Sequence, residues 1–124
     1  MSDEKNAYHH KRLKVWQKAM QLVVDVYEIT QRFPQEEQFG LTSQIRRCAV
    51  SIPSNIAEGH GRGSNKELIR FLNIARGSVF ELDTQLEIAR QVRLLSQDQF
   101  DFLGKLLDEI SRLLSGLQKS KSRN

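Results

Sequence analysis

The middle third of the chain carries the side chains with the clearest chemical potential, a cluster of cations. Residues 41–76 hold six Lys/Arg side chains against two Glu, whereas the segments on either side are each neutral. The whole formal charge of +4 therefore lies in this stretch. Such a localised excess is typical of a surface that binds a polyanion, although a solvated basic face without a ligand has the same composition. The cations are Arg46, Arg47, Arg62, Lys66, Arg70 and Arg76.

A glycine-rich stretch from Gly59 to Gly63 lies among these cations. Free backbone amides at the start of the following helix, with Arg62 and Lys66 beside them, could hold a phosphate. However, no predicted strand precedes the stretch, and the glycine, lysine and serine spacing of nucleotide-hydrolysing phosphate loops is absent. Alternatively, Gly59 ends one helix and the other glycines let the chain reverse. Nucleotide hydrolysis is therefore disfavoured, and passive contact with a nucleic-acid phosphate stays open.

Polar side chains at helical spacing form a line through the same region. They are Gln44, Arg47, Ser51, Asn55 and Glu58. They could form a buried network with polar residues of the next helix, which would set the register of helices or subunits. The candidate partners there are Arg76, Ser78 and Glu81. Alternatively, the line is an open surface that binds a ligand. We expect structural pairing for Ser51, Asn55 and Glu58, and open contact for Arg46.

The residue types that usually carry catalysis are scarce and poorly spaced. His9 and His10 are adjacent in an aperiodic N-terminal segment, and His60 is alone in the glycine-rich stretch. Because no suitably spaced carboxylate or thiolate accompanies them, we expect no metal site. Cys48 lies on the apolar line of its helix, which is typical of a small buried hydrophobe rather than a nucleophile. The sequence therefore predicts neither an enzyme nor a bound cofactor.

Four segments must position these residues, and each has apolar side chains alternately three and four positions apart, which indicates an amphipathic helix. We predict helices at about 13–33, 41–58, 65–94 and 97–117. Four helices with short connections and no strand signal predict an all-α, up-down-up-down four-helix bundle. Residues 1–12 and 118–124 lack the helical period, and we expect both to be flexible. The second of these is a basic tail with Lys119, Lys121 and Arg123.

Local signals mark several ends of these helices. Pro34 ends the first helix, because the residue before a proline is pushed out of the helical region. Pro53 should kink the second helix, although it could instead end it. The third and fourth helices each begin with the serine and the Glu or Gln of a capping box. These pairs are Ser64 with Glu67 and Ser96 with Gln99.

The first helix has two apolar stripes, although a helix that packs only within its own bundle needs one. The first stripe contains Leu13, Trp16, Met20, Val23, Tyr27 and Thr30. The second contains Val15, Ala19, Leu22, Val26 and Ile29. On the outside of a monomer, the second stripe would form an apolar patch that monomers seldom tolerate. We therefore predict a homo-oligomer whose interface is this second stripe.

Length and composition narrow the class of protein further. A chain of 124 residues has room for one core, and 39% hydrophobic with 27% charged residues is typical of a soluble globular domain. No apolar run approaches the roughly 18 residues that a membrane-spanning helix needs, and the polar N-terminus does not resemble a signal peptide. The single cysteine excludes an intramolecular disulfide and fits a reducing compartment. We therefore expect a cytoplasmic protein without membrane contact.

Several sequence blocks resemble one protein family. They are LKVWQKA, then FP, then GLTSQIRRCAVSIPSNIAEGHGRGS and FLNIARGSVFELDTQL, within residues 13–117. They are similar to the four-helix-bundle proteins encoded in the intervening sequences of bacterial 23S ribosomal RNA genes. The resemblance implies a ring-like homopentamer. A similar bundle is the accessory protein of diversity-generating retroelements, a basic pentamer that binds nucleic acid and a reverse transcriptase.

Residues that match the family pattern include most of the polar line and the glycine-rich stretch. They are Gln44, Arg47, Ser51, Asn55, Glu58, Gly59, Arg62, Gly63, Arg76, Gly77, Ser78 and Glu81. Charge and resemblance together predict a non-catalytic oligomer that binds nucleic acid, RNA being favoured, by displacing counterions from phosphates. The alternative is a protein-interaction scaffold or accessory subunit, for example of a reverse transcriptase, without direct nucleic-acid contact.

Overall fold

Four α-helices and two short 3-10 turns make up the protein in a computed structural model that describes residues 8–122. The helices are α1 (Lys14–Thr30), α2 (Leu41–Gly61), α3 (Asn65–Gln91) and α4 (Gln97–Ser122), and the turns are His9–Arg12 and Gln35–Glu37. Each helix packs on the next, and α1 also packs on α4, which closes an up-down-up-down bundle. The described part of the chain contains no strand, so the all-α prediction is confirmed.

The helix ends differ from the predicted ones by about one turn. α1 ends at Thr30, because residues 31–33 form a turn that places Phe33 in the core. α2 passes Pro53 without a break and continues through Gly61, which leaves a turn of only three residues, Arg62 to Ser64, before α3. α3 stops at Gln91, and Arg93 then adopts a left-handed conformation with φ of 67°.

Both predicted flexible ends need correction where the structure describes them. Residues 118–122 continue α4 as regular helix rather than forming a tail. At the other terminus, residues 9–12 form a 3-10 turn that packs on both α1 and α2. Residues 1–7, together with Arg123 and Asn124, lie outside the described residues.

Side-chain caps begin α3 and α4 as predicted. The Ser64 hydroxyl accepts a hydrogen bond from the Glu67 amide at 3.2 Å. At α4, the Ser96 hydroxyl accepts from the Gln99 amide at 3.1 Å, and the Gln99 side chain accepts from the Ser96 amide at 3.0 Å. The latter is the complete reciprocal box, and it satisfies donors that a helix start otherwise leaves unpaired.

The interface predicted on α1 is wrong, because its side chains belong to the core of the chain itself. Val15, Ala19, Leu22 and Val26 are all buried, and Ile29 is half-buried. The other stripe flanks the core, and its Met20 and Tyr27 are exposed. Both stripes have the same period, so spacing alone does not say which one faces inward. The rotation of α1 is set by its simultaneous packing on α2 and α4.

A close approach of α2 to α3 depends on Gly59. This residue was predicted to end a helix, but it lies buried inside α2. A Cβ atom placed on Gly59 would lie 2.6 Å from the Cβ atom of Phe71 and 3.3 Å from the Leu68 carbonyl oxygen on α3. The glycine is therefore required by interhelical distance rather than by a turn.

Replacing Gly59 by alanine should destabilise the protein. We expect the free energy of unfolding to fall by about 1–3 kcal/mol, because a methyl group in this contact forces the helices apart. A matched control is Gly77→Ala in α3, where an added Cβ meets nothing within 4 Å. That change should stabilise the helix by about 0.5–1 kcal/mol. Urea unfolding followed by circular dichroism measures both, and a Gly59→Ala protein as stable as the parent would contradict the assignment.

Candidate functional site

The antiparallel order of the helices brings three separate parts of the chain to one end of the bundle. These are residues 8–14, residues 58–70 and residues 115–122. They contain eight Lys/Arg side chains against two carboxylates, Glu58 and Glu67. The cations are Lys11, Arg12, Lys14, Arg62, Lys66, Arg70, Lys119 and Lys121. We call this surface the basic end.

The opposite end of the bundle has the reverse charge balance. It contains residues 25–47 and 87–101, which carry seven Asp/Glu side chains against five Lys/Arg. The molecule is therefore electrically polar along the bundle axis, with its positive excess concentrated at the basic end. A field of one sign over one surface attracts an extended ion of the other sign.

Three predicted cations, Arg62, Lys66 and Arg70, lie close together at the α2–α3 turn. The guanidinium carbons of Arg62 and Arg70 lie 5.0 and 4.9 Å from the centre of the Phe71 ring, so this buried aromatic side chain positions both. Each arginine also pairs with a carboxylate on its own helix or turn, Arg62 with Glu58 at 2.7 Å and Arg70 with Glu67 at 3.6 Å. Both arginines are exposed. Exposed ion pairs are weak, so another anion can replace the carboxylate beside each arginine.

The other three predicted cations lie elsewhere. Arg46, predicted to make open contact, is half-buried; its Nε donates to the Thr30 hydroxyl at 2.8 Å and its guanidinium lies 4.5 Å from the centre of the Tyr27 ring. It therefore binds the C-terminal turn of α1 to α2, where a cation also complements the helix dipole. Arg76 donates to the Gln118 side chain of α4 at 3.0 Å. Arg47 lies on α2 and lines a groove between α2 and α3.

That groove, of about 610 Å³, runs between α2 and α3 and collects much of the predicted polar line. The hydroxyls of Ser51 and Ser78 are 2.8 Å apart and join the two helices. The Ser51 hydroxyl donates to the Cys48 carbonyl at 2.6 Å, and the side-chain amide of Asn55 donates to the Ser51 carbonyl at 2.8 Å. These short side chains therefore form a real interhelical contact at the floor of an open groove.

Other predicted members of the network stand apart from this contact. Glu58 is exposed and pairs with Arg62, so it belongs to the basic end. Gln44 is exposed on the groove wall. Glu81 accepts a hydrogen bond from Gln85 at 3.3 Å, and Gln85 is only 7% exposed with its Oε1 atom unpaired among the described residues. Gln85 could not be predicted as part of the network, because a single polar residue within an apolar helical pattern does not reveal its partners.

Cys48 lies in the groove floor but is not suited to act as a nucleophile. Its thiol donates to the Ser78 carbonyl at 3.1 Å. Burial, followed by the nearby charge of Glu81, raises the pKa of the Cys48 thiol to about 12. The thiol therefore stays protonated at neutral pH, and only a thiolate is strongly nucleophilic.

Three histidines meet at the basic end, although His60 is far from His9 and His10 in the sequence. The His60 ring centre lies 5.7 Å from that of His9 and 6.4 Å from that of His10, and His10 packs edge-on against Trp16 at 5.4 Å. Within residues 8–122, no three His, Cys, Asp or Glu side chains are arranged to hold a metal ion. The cluster could not be predicted from the sequence, because it forms only when the N-terminal turn packs on α2.

None of the helices that the structure describes combines the length and the apolarity needed to cross a lipid bilayer.

Comparison with known proteins agrees with this architecture. A solved structure from Bacteroides thetaiotaomicron, that of a protein of unknown function from the S23 ribosomal protein family, superposes with a TM-score of 0.79. The two sequences are 26% identical, and the match covers 85% of this chain and 95% of the other. No curated protein sequence matches the chain significantly. The sequence model of the 23S rRNA-intervening sequence proteins matches residues 11–116, which span almost the entire bundle. The chain therefore belongs to the 23S rRNA-intervening sequence protein family.

Proposed function

We propose that this protein is a non-catalytic nucleic-acid-binding protein, with RNA as the favoured polymer, and that it binds the phosphate backbone through the basic end. The observation that carries the proposal is the convergence of eight cations from three chain segments on one surface that holds two carboxylates. The sequence placed the excess in residues 41–76, whereas the fold adds both termini of the described chain to Arg62, Lys66 and Arg70.

The mechanism is the release of counterions from the polyanion. Each Lys or Arg that contacts a phosphate displaces a condensed cation, and this gain does not depend on the base sequence. Stacking on bases contributes little, because Tyr8 is the one exposed large aromatic side chain at this end in the part of the chain that the structure describes. We therefore expect phosphate contact without base-specific readout.

Binding of labelled RNA at increasing salt concentration tests this proposal. In a plot of the logarithm of the association constant against the logarithm of the salt concentration, each phosphate contact contributes about −0.7 to −0.9 to the slope. Six to eight contacts should therefore lower the affinity about a thousandfold or more between 50 and 200 mM salt. Two unrelated RNA sequences should bind with similar affinity. An affinity that barely responds to salt would contradict the mechanism.

The proposal includes a homo-oligomer, and the family resemblance favours a pentamer. Because the stripe of α1 that contains Leu22 is core, the interface must use another surface. The best candidate is the face of α2 and α3 around the groove, where Phe39 is 90% exposed and α3 presents Ile74, Ile88 and Val92. Monomers seldom leave such apolar side chains uncovered. Sedimentation should show an oligomer that the substitution Ile88→Glu dissociates, and a monomeric parent protein would contradict this part.

A second candidate function is supported by the same face. If sedimentation shows a monomer, the exposed Phe39 and the groove beside it fit a protein-interaction scaffold or accessory subunit, in which the cations only maintain solubility. A protein complex that survives nuclease treatment and high salt would support the scaffold. A complex that either treatment dissolves would support nucleic-acid binding instead.

A further inference from the structure

We propose that His9, His10 and His60 form a proton-linked phosphate subsite of the basic end, so that RNA binding takes up protons and tightens as the pH falls. The inference rests on the proposed function and deepens it. Its geometric basis is the convergence of three imidazole rings from the N-terminal turn and the C-terminal turn of α2, between the cations of all three segments. His9 is exposed, and His10 and His60 are half-buried, so a ligand can reach them.

The cluster is surrounded by positive charge. Lys11 lies beside His10 in the N-terminal turn, and α4 brings Lys121 towards His60. α1 contributes the uncharged Trp16 ring, and no charged group of α3 shifts the titration of His60. On α2 itself, the neighbouring Glu58 is paired with Arg62. Without a ligand, an additional proton on the cluster is therefore opposed by cations from two elements.

Burial is the larger cause that lowers the pKa values of His10 and His60, and nearby positive charge adds to it. The pKa of His60 is lowered from 6.5 by burial and then by His9, His10 and Lys121. The pKa of His10 is lowered by burial and then by Lys11. At neutral pH, His10 and His60 are therefore mostly uncharged.

A bound phosphate reverses this balance. Its negative charge favours the imidazolium, and each protonated ring can donate N–H hydrogen bonds to phosphate oxygens. Binding therefore raises the pKa values of the cluster, and by linkage protonation raises the affinity by the same factor. Because the pKa values of His10 and His60 lie below 6.5 without a ligand, the added affinity is gained as the pH falls through about 7 to 5.5 and is lost as the pH rises again.

The test is RNA binding by the full chain at constant ionic strength between about pH 7.5 and pH 5.5, the range in which histidine titrates. The parent protein should bind about tenfold more tightly at the lower pH, because the uptake of one proton on binding changes the affinity by up to about tenfold per pH unit. The variant H9Q/H10Q/H60Q should remain folded and lose this pH dependence, because glutamine has no group that titrates in this range. It removes every histidine of the chain.

Calorimetry gives an independent readout that needs no variant. Heats of RNA binding near pH 6.5, measured in buffers of different ionisation enthalpy, should show net proton uptake by the parent protein. The inference is overturned if the parent affinity does not change with pH, if proton uptake is absent, or if a folded triple variant retains the full pH dependence. Salt-sensitive binding without pH dependence would overturn this inference alone, whereas absence of RNA binding at every pH would overturn the proposed function as well.

Discussion

Replacing Arg62, Lys66 and Arg70 together by glutamine should weaken RNA binding at moderate salt by about 10- to 100-fold and reduce the slope of the salt dependence by roughly 2 to 2.7. Each lost phosphate contact removes one released counterion, and Arg62 and Arg70 both lie against the ring of Phe71. The measurement is fluorescence anisotropy of labelled RNA across a salt series, with parent and variant compared at each concentration.

The matched control removes the same number of charges elsewhere. Arg32, Arg93 and Lys105 are exposed and lie outside the basic end, so their replacement by glutamine should change affinity by less than about threefold through net charge alone. The basic-end variant should remain folded, because the ion pairs that it loses are exposed and contribute little to stability. Equal losses of affinity in the two variants would mean that only net charge matters and that no localised site exists.

Replacing Leu22 by alanine should lower the free energy of unfolding by about 2–5 kcal/mol, the range for a large core side chain truncated at a fully buried position. Leu22 is 0% exposed within the single chain. The loss should be the same at low and high protein concentration, because the contacts that disappear are intramolecular. Urea unfolding at two concentrations measures this effect.

Val24 provides the control on the same helix. Its side chain is 51% exposed, so Val24→Ala should change monomer stability by no more than about 0.5 kcal/mol. If Leu22→Ala instead left the stability intact and dissociated an oligomer, the inner and outer faces of α1 would have to be exchanged.

The two proposed surfaces occupy different parts of the molecule, which allows them to act together. The basic end contains the termini of the described chain and the α2–α3 turn, whereas the exposed apolar residues Phe39 and Val92 lie near the opposite end of the bundle. An oligomer assembled through the latter would leave several basic ends available to one polyanion. Multivalent contact of this kind raises affinity without any change in the individual site.

The number and kind of secondary-structure elements can be predicted from the sequence, because these depend on interactions between residues a few positions apart. Apolar side chains alternately three and four positions apart define a helix whatever it packs against. Likewise, Ser96 and Gln99 cap α4 through hydrogen bonds between residues three positions apart. The positive excess of residues 41–76 and the basic tail with Lys121 were also visible, although the contribution of Lys11 from the N-terminal turn was not.

The rotation of each helix and the residues that meet at its ends depend on tertiary packing and could not be predicted from local spacing. Two stripes of equal period on α1 left the inward face undetermined until α2 and α4 packed against it. The same packing placed Arg46 against α1 and brought His60 to His9. Such contacts join residues many positions apart, and their geometry depends on the positions of whole helices, which no local pattern specifies.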